Sequence, residues 1–279
     1  MDLISIKSGL PSVKNLEIEC LRQDQVECPV IHRFGPGIYI REVHIPADTF
    51  AIGHYQKHEH VNIFLKGRLF MLNDNGSTSE LKAPMLFIGK PGRKCGYICE
   101  DVVWLNIYST NETDVNKLES IFLDKSKEWK DANKLQNALR PKRIDDNNDF
   151  NELLKEYGFD KDTVRKQSES TLDLVSMPFG HYKIIISESS IEGKGVFATA
   201  NIAPDEAIGP AKIGNNRTPI GRYINHSKTP NAKMIMNGDN IDLIAISEIQ
   251  GCLGGYLGDE ITTNYRNNLN LIGINKCLE

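Results

Sequence analysis

The stretch that decides the fold of the C-terminal part is Gly221-Arg222-Tyr223-Ile224-Asn225-His226-Ser227-Lys228-Thr229-Pro230-Asn231-Ala232. Its centre places an asparagine beside a histidine, so several hydrogen-bond donors and acceptors lie at one point of the chain. Recognition of a small polar zwitterion requires such a concentration of polar groups. A capping asparagine beside a buried histidine is the structural alternative, and this stretch alone leaves both open.

Two further blocks lie on either side of this stretch. The first is Ser190-Ile191-Glu192-Gly193-Lys194-Gly195-Val196-Phe197-Ala198, a loop whose glycines let the backbone approach a ligand as it enters a strand. The stretch quoted above is the second block in chain order, and the third block is Gly258-Asp259-Glu260-Ile261-Thr262-Thr263-Asn264-Tyr265-Arg266. Taken singly, the first block is typical of a surface hairpin loop, and Tyr265 is typical of a packed core tyrosine.

Together and in this order, the three blocks resemble the SET domain, the fold of most protein-lysine methyltransferases. The resemblance extends over residues 185–266. It implies a compact fold in which the C-terminal segment threads through a loop as a pseudoknot, an exception to the rule that chains are unknotted. Such threading is expected to bring Asn225 and Tyr265 together.

The resemblance also implies S-adenosylmethionine as the cofactor and a lysine of another protein as the substrate. The catalytic residue that it implies is Tyr265, at the point of methyl transfer, and it implies no metal there. The positions that it assigns to cofactor binding are Lys194, Gly195, Val196, Asn225 and His226. Tyr223 is added to them as a residue that lines the cofactor or lysine channel, with core packing as its alternative.

The sequence departs from the SET pattern in several places. Segment 206–222 is short, segment 251–257 resembles an insertion, and Thr263 stands where a second aromatic residue often precedes the tyrosine. The alternative hypothesis is therefore a structural or assembly protein, associated with a virion, whose SET domain is weakly active or inactive.

Residues 31–108 consist of short strand-like runs with turn signals between them, including Asn75-Gly76, which predicts a tight hairpin. This rhythm indicates an antiparallel sandwich or a small barrel. Three histidines, His54, His58 and His60, stand close together, and at such spacing they could converge on a divalent metal ion.

Residues 53–106 resemble a cupin barrel. Its first motif corresponds to His58-Glu59-His60 with Gly67, and its second to Pro91-Gly92 with Asn106. The usual glutamate of the first motif and the usual histidine of the second are absent, so we expect a metal-free barrel. A metal-dependent cupin enzyme is the second alternative for the function of the chain.

The middle of the chain is predicted to be helical. Residues 114–125 carry apolar residues at helical spacing. Residues 150–157 do so as well, and for this second stretch Asn148 or Asp149 is the predicted N-cap and Gly158 the predicted end. Asp160 is predicted to cap a further short helix. The charged run 125–148 is predicted to be a solvated linker, including its basic cluster Arg140-Pro141-Lys142-Arg143.

The predicted fold class is accordingly mainly β, in three parts. They are a cupin-like antiparallel barrel over residues 25–110, a helical connector over 111–175 and a compact SET fold over 176–279. The barrel could also pair two copies of the chain into a homo-oligomer.

The composition of the chain limits which classes of partner it is expected to bind. The chain has 279 residues with 33 Lys+Arg and 37 Asp+Glu, a net charge of −4, so no basic excess indicates a nucleic-acid partner. Its apolar runs are far shorter than the ~20 residues that span a bilayer, and we expect no membrane partner. The first residues lack the pattern of a signal peptide, and the six cysteines form no Cys-x-x-Cys pair, which favours reduced thiols in a cytoplasm.

The joint arrangement of a cupin-like barrel, a helical connector and a SET domain is similar to proteins encoded by tailed bacteriophages. This resemblance implies a phage product in the cytoplasm of a bacterial host, either free or associated with the virion.

Overall fold

The computed structural model describes residues 13–73 and 77–274. Its first part is a helix followed by an antiparallel sheet; the predicted turn at Asn75-Gly76 lies outside the described residues. The elements are α1 (Val13–Leu21), β1 (Val30–Gly35), β2 (Ile38–Ile45), β3 (Thr49–Ile52), β4 (Tyr55–Gln56), β5 (His60–Leu72), β6 (Thr78–Lys82), β7 (Met85–Gly89) and β8 (Cys95–Ser109).

The long strand β8 organises this sheet. It pairs antiparallel with β2, β3 and β5, and β5 in turn pairs with β6 and β7. Side chains of a strand alternate between its two faces, and the buried positions of β1 and β8 follow that period. The mainly β, antiparallel prediction for this part is therefore confirmed.

The predicted barrel is not found as a closed ring. Among the described residues the strand order runs β10-β1-β2-β8-β5-β6, with β3 and β7 beside this path, and its two ends do not pair. The first strand of that order, β10 (Gly180–Tyr182), comes from the C-terminal part of the chain and pairs with β1. The division at residues 110 and 175 stays a prediction.

Helices fill the middle of the chain. The elements are α2 (Val115–Phe122), β9 (Leu123–Asp124), α3 (Lys127–Leu139), α4 (Ile144–Glu156) and α5 (Lys161–Glu169). The helix over 115–122 agrees with the sequence pattern, as does the Asp160 cap, whose carboxylate accepts the backbone N–H of Thr163. Gly158, just after α4, has a φ of 65°, a conformation that glycine adopts without a steric penalty.

Two expectations about this segment are wrong. Helix α4 starts at Ile144, so Asn148 and Asp149 lie inside it rather than at its cap. The charged run 125–148 is not a linker, because it contains α3 and the first turn of α4. The hydroxyl of Ser126 caps α3 by accepting the backbone N–H of Trp129, which supplies a local reason for the helix to begin there.

The C-terminal part has two small sheets. Its further elements are β11 (Ile184–Glu188), β12 (Lys194–Ala198), β13 (Ala207–Ile213), β14 (Asn216–Arg217), α6 (Pro219–Tyr223), β15 (Asn225–His226), β16 (Ala232–Asn237), β17 (Asn240–Ala245), β18 (Glu260–Thr263) and α7 (Tyr265–Leu271). One sheet has the order β11-β12-β18-β15 and the other the order β14-β13-β17-β16. Strand β15 runs parallel to β18, which places the second block beside the third.

One apolar cluster contains residues of both the N-terminal sheet and the C-terminal sheets. It contains Phe34 and Tyr39 from the first sheet together with buried residues of β12, β17 and β18, such as Val196, Leu243 and Ile261. A second cluster around Phe64 and Trp104 lies within the first sheet. None of the helices within residues 13–73 and 77–274 has the length and apolar character of a transmembrane span.

Candidate functional site

Three blocks that lie far apart in the sequence meet at Tyr265. Its hydroxyl donates a hydrogen bond to the carbonyl of Ile224 at 2.7 Å, and its backbone N–H donates to Nδ1 of His226 at 3.1 Å. The adjacent strands hold this arrangement, because Asn225 lies opposite Thr262 and Val196 lies opposite Ile261. Tyr265 is thus in direct contact with the residues on either side of Asn225, an approach that the resemblance to the SET domain implies.

Asn225 ties the first block to the third. Its side-chain amide donates to the backbone carbonyls of Glu192 and Lys194, at 3.2 and 3.1 Å, and to a carboxylate oxygen of Glu260 at 2.8 Å. The same carboxylate accepts the hydroxyl of Ser189 at 2.7 Å. These bonds fix the loop before β12 against β18.

Gly195 is required for this contact. A Cβ atom built there would lie 2.2 Å from Oε1 of Glu260, far inside van der Waals distance. The glycine that was predicted to let backbone approach a cofactor therefore first lets the buried Glu260 carboxylate approach the chain. Val196, the next residue, has its side chain fully in the apolar core.

His226 is buried, with 3% of its surface exposed, and both ring nitrogens are bonded. Because Nδ1 accepts the N–H of Tyr265, Nε2 carries the proton and donates to Asp149 at 2.7 Å. Asp149 also accepts a hydrogen bond from the guanidinium of Arg266. The same guanidinium donates to Glu156, which lies with Asp149 in α4. Burial alone raises the pKa of the Asp149 carboxyl, but the hydrogen bonds from Arg266 and His226 outweigh it and hold that pKa below its usual value.

Two aromatic rings lie against the ring of Tyr265. Phe150 of α4 lies edge-on to the Tyr265 ring with 5.9 Å between centroids, and the His226 ring lies at 5.2 Å. Burial raises the pKa of Tyr265 well above its ordinary value, and the charge of Glu260 adds to this effect. The hydroxyl therefore stays protonated at neutral pH and acts as a hydrogen-bond donor rather than as a base.

The remaining predicted cofactor residues lie at the rim of this cluster. Lys194 is exposed, and its ammonium lies 6.0 Å from the ring of Tyr223. Tyr223 itself is half-buried and packs against the apolar core, so both roles considered for it are compatible with its position.

Sequence reasoning missed the residues that the helical segment contributes. Asp146 of α4 accepts the hydroxyl of Ser227 at 2.9 Å, and Arg143 donates to that same hydroxyl oxygen at 2.7 Å. Arg140 donates to the carbonyls of Leu257 and Gly258. The basic cluster predicted to be solvated instead docks on the second and third blocks, and no local pattern in this polar run marks those distant partners.

The three histidines of the N-terminal part do not converge. His60 is buried and stacks on Tyr108 with 5.2 Å between ring centroids, whereas His58 is exposed and His54 lies against Trp129. The side-chain nitrogen of Asn106 does reach Nε2 of His60, at 3.3 Å, so the two cupin-like motifs meet there.

This meeting point does not offer a metal site of the expected kind. In the part of the chain that the structure describes, no group of three or more His, Cys, Asp or Glu side chains could hold a metal ion. A cupin metal requires three or four such ligands at one point. The residues present do not fit that metal, and we derive no chemistry from it.

No protein-family model matches the sequence, and no curated protein matches it either. Solved structures that are similar to part of the chain include a cupin domain from Bordetella pertussis, with 16% identity over 32% of this chain and 98% of that chain at a TM-score of 0.26. The EutQ protein of Clostridium difficile shares 10% identity over 29% of this chain and 67% of its own, at a TM-score of 0.25.

A third similar structure is the polyketide cyclase RemF from Streptomyces resistomycificus. It shares 16% identity over 32% of this chain and 70% of its own, at a TM-score of 0.25.

Proposed function

We propose that the chain is an S-adenosylmethionine-dependent protein-lysine N-methyltransferase of the SET type. The observation that carries the proposal is the contact of the Tyr265 hydroxyl with the Ile224 carbonyl, next to Asn225. In this contact a protonated hydroxyl and a backbone carbonyl lie at one point, beside the half-buried Asn225.

The residues around that point suit the cofactor. Among the described residues none donates to the amide oxygen of Asn225, so that oxygen is available to the ammonium group of an amino acid. The exposed Lys194 offers a positive charge for a carboxylate. These two residues, with the backbone of 192–195, would hold the amino-acid end of S-adenosylmethionine.

The cofactor would supply a methyl group on a sulfonium sulfur, so that a new N–C bond forms at the target lysine as the S–C bond breaks. The lysine must first lose a proton to water, because its ordinary pKa is ~10.4 and only the neutral amine has a lone pair. A lysine placed against the rings of Phe150 and Tyr265 would be partly desolvated, which would disfavour its charged ammonium form. The Tyr265 oxygen can accept an N–H of the neutral amine and so orient its lone pair, and aligned reactants gain about 7–11 kcal/mol over free encounter.

Two measurements test this proposal. Isothermal titration with S-adenosylmethionine is expected to show one site that Asn225→Ala weakens. Incubation with cofactor labelled in its methyl group and a bacterial or phage lysate is expected to label proteins, and Tyr265→Phe is expected to abolish that label. Tyr157→Phe is the matched control, because it removes a hydroxyl just after α4 whose hydrogen bond within the described residues goes to Asn270, away from Tyr265. Absence of cofactor binding by the wild type would refute the proposal.

A structural or assembly protein with a SET fold is a second candidate. Its favouring observation is that both ring nitrogens of His226 and the amide nitrogen of Asn225 are already bonded within the chain. This candidate predicts that the labelled cofactor marks no protein in any lysate, even where the cofactor binds. Phage origin, virion association and pairing of two copies stay predictions under either candidate.

A metal-dependent cupin enzyme is a further candidate for the N-terminal part. Both cupin-like motifs meet at His60 and Asn106, which is the contact on which this candidate rests. No group of three or more His, Cys, Asp or Glu side chains that could hold a metal lies within the described residues, so the structure does not favour it over the other two. It predicts a stoichiometric transition metal in the purified protein by elemental analysis, and a protein without such a metal would exclude it.

A further inference from the structure

The N-terminal sheet holds a cavity of about 460 Å³. Apolar side chains of the sheet form one wall, among them Val43, Ile45, Leu69 and Ile98. Residues from outside the sheet line the rest, including Trp129 of α3 and Gly254-Gly255 of the C-terminal part. The volume lies within the range of ~300–1,000 Å³ that is typical of sites for small organic molecules.

A row of polar residues crosses the buried face of the sheet beside these apolar walls. Strand pairing places His32 opposite Arg41, Arg41 opposite Asn106, and Asn106 opposite Asn62. Residues directly opposite each other on neighbouring strands lie on the same face, with Cβ atoms ~4.5–5.5 Å apart. Arg41 and Asn106 both line the cavity.

Most of this row is satisfied from within. The amide oxygen of Asn62 accepts from Nε1 of Trp104 and from the amide of Asn106, each at 2.8 Å. Nδ1 of His32 is bonded to the hydroxyl of Tyr39 at 2.8 Å. These hydrogen bonds fix the side chains of His32, Asn62 and Asn106 around Arg41, which carries the permanent charge among these four residues.

Arg41 is the exception. Within residues 13–73 and 77–274, its buried Nε has no hydrogen-bond partner. Nδ1 of His54, which also lines the cavity, is likewise buried without a partner. A buried polar group without a hydrogen-bond partner destabilises the folded state, because it has lost its bonds to water and gained none in return. Two such groups at one cavity therefore indicate a missing ligand.

The charged groups around Arg41 favour a ligand that carries a negative charge. The buried carboxylate of Glu119 lies within electrostatic reach of Arg41 but is hydrogen-bonded to Lys125 at 2.7 Å. Glu119 is therefore paired with Lys125 rather than with Arg41. Two of the carboxylates that line the cavity have partners of their own: Glu17 is paired with Arg93, and Asp48 accepts the hydroxyl of Tyr97. Lys94 adds a second cation beside Asn62. Among the described residues Arg41 has no ion pair of its own. His32 and His54 add no charge at neutral pH, since burial lowers the pKa of each to about 3.

We propose that this cavity binds a small organic monocarboxylate with an apolar body. Its carboxylate lies on the guanidinium of Arg41, beside His54 and Asn106, because the planar fork of arginine matches the two oxygens of a carboxylate. Its hydrocarbon or aromatic part lies against the apolar wall formed by Val43, Ile45, Leu69 and Ile98. Binding requires no metal and does not depend on methyl transfer at Tyr265.

The probes are two acids and their neutral analogues of the same shape. Titration calorimetry and thermal-shift assays compare decanoate with decanol, and 1-naphthoate with 1-naphthamide, on the full chain. We expect at least one of the two acids to bind with a stoichiometry of one and to raise the melting temperature, and its neutral analogue to bind roughly ten-fold or more weakly.

Variants assign the binding to Arg41. Arg41→Leu is expected to weaken carboxylate binding roughly ten-fold or more, while Arg68→Leu, which removes an arginine from the exposed side of the same sheet, leaves it unchanged. Val43→Phe fills the cavity without altering charge, and it is expected to abolish binding even if Arg41→Leu fails to fold.

Three results would overturn the proposal. They are no binding of either acid, equal binding of acid and neutral analogue, and binding that survives both Arg41→Leu and Val43→Phe. Because none of these assays involves S-adenosylmethionine, their failure leaves the methyltransferase proposal untouched.

Discussion

The polar cluster around His226 and the polar cluster around Arg41 differ in how many of their buried polar atoms have hydrogen-bond partners. At the C-terminal cluster, His226 and Arg266 each donate a hydrogen bond of 2.7 Å to Asp149. At the N-terminal cavity, Arg41 and His54 keep buried nitrogens without partners. A network whose hydrogen bonds are all made holds its side chains in fixed positions. A network with unpaired buried atoms is destabilising by itself, and a ligand that pairs with those atoms removes that cost on binding. The difference predicts opposite responses to the removal of a charge.

Replacement of an arginine gives the largest contrast. Arg266→Leu leaves the buried Asp149 and the adjacent Glu156 without their cation, and it is expected to lower the free energy of unfolding by about 3 kcal/mol or more. Arg41→Leu removes an unpaired buried cation and is expected to be neutral or stabilising. Urea denaturation of both variants measures this, and an equal loss for the two would remove the contrast.

The glycine beside Glu260 gives the second contrast. Gly195→Ala forces a methyl group onto the Glu260 carboxylate and is expected to cost about 1–3 kcal/mol and to weaken binding of S-adenosylmethionine. Gly35→Ala is the control in the first sheet, since a Cβ there meets no atom within 4 Å. Denaturation and calorimetry on both variants test the expectation, which a silent Gly195→Ala would contradict.

Acid sensitivity provides the third test. Burial lowers the pKa of His32 to about 3, so between that value and the ordinary ~6.5 the unfolded chain binds a proton that the folded chain does not. Stability is therefore lost as the pH falls below ~6.5, by up to about 1.4 kcal/mol per pH unit. His32→Gln is expected to reduce this slope, and His181→Gln, at an exposed position, is not. Denaturation midpoints between pH 4 and 7 give the slopes; identical slopes in both variants would show the sign or the residue to be wrong.

The smallest effect on stability is expected at the proposed catalytic residue. Tyr265→Phe removes one hydrogen bond to Ile224 and should cost about 0.5–1.5 kcal/mol, while methyl transfer is lost. A large loss of stability with no change of activity would identify Tyr265 as a core residue. Comparison with Tyr157→Phe separates the hydroxyl's role in the reaction from its role in packing.

A good part of the secondary structure follows from local patterns. Alternation over 31–108 predicted the antiparallel strands, and the apolar spacing over 115–122 predicted α2. Prediction failed at α3 and at the start of α4, where the sequence is polar and charged. Those helices are stabilised by contacts with distant blocks, such as Asp146 with Ser227, and no local pattern encodes such partners.

For the candidate sites, the sequence by itself determined which residue types stand at the decisive positions: an Asn-His pair, a glycine before a strand and a tyrosine after one. Only the tertiary structure decided that Asp149 and Phe150 of a helix complete their surroundings, and that Arg41 is left alone at a cavity. The physical reason is that a short motif is local in sequence. A buried charge is satisfied or unsatisfied by whatever the fold brings within ~3 Å of it, and the partners of Asp149 lie more than seventy residues further along the chain.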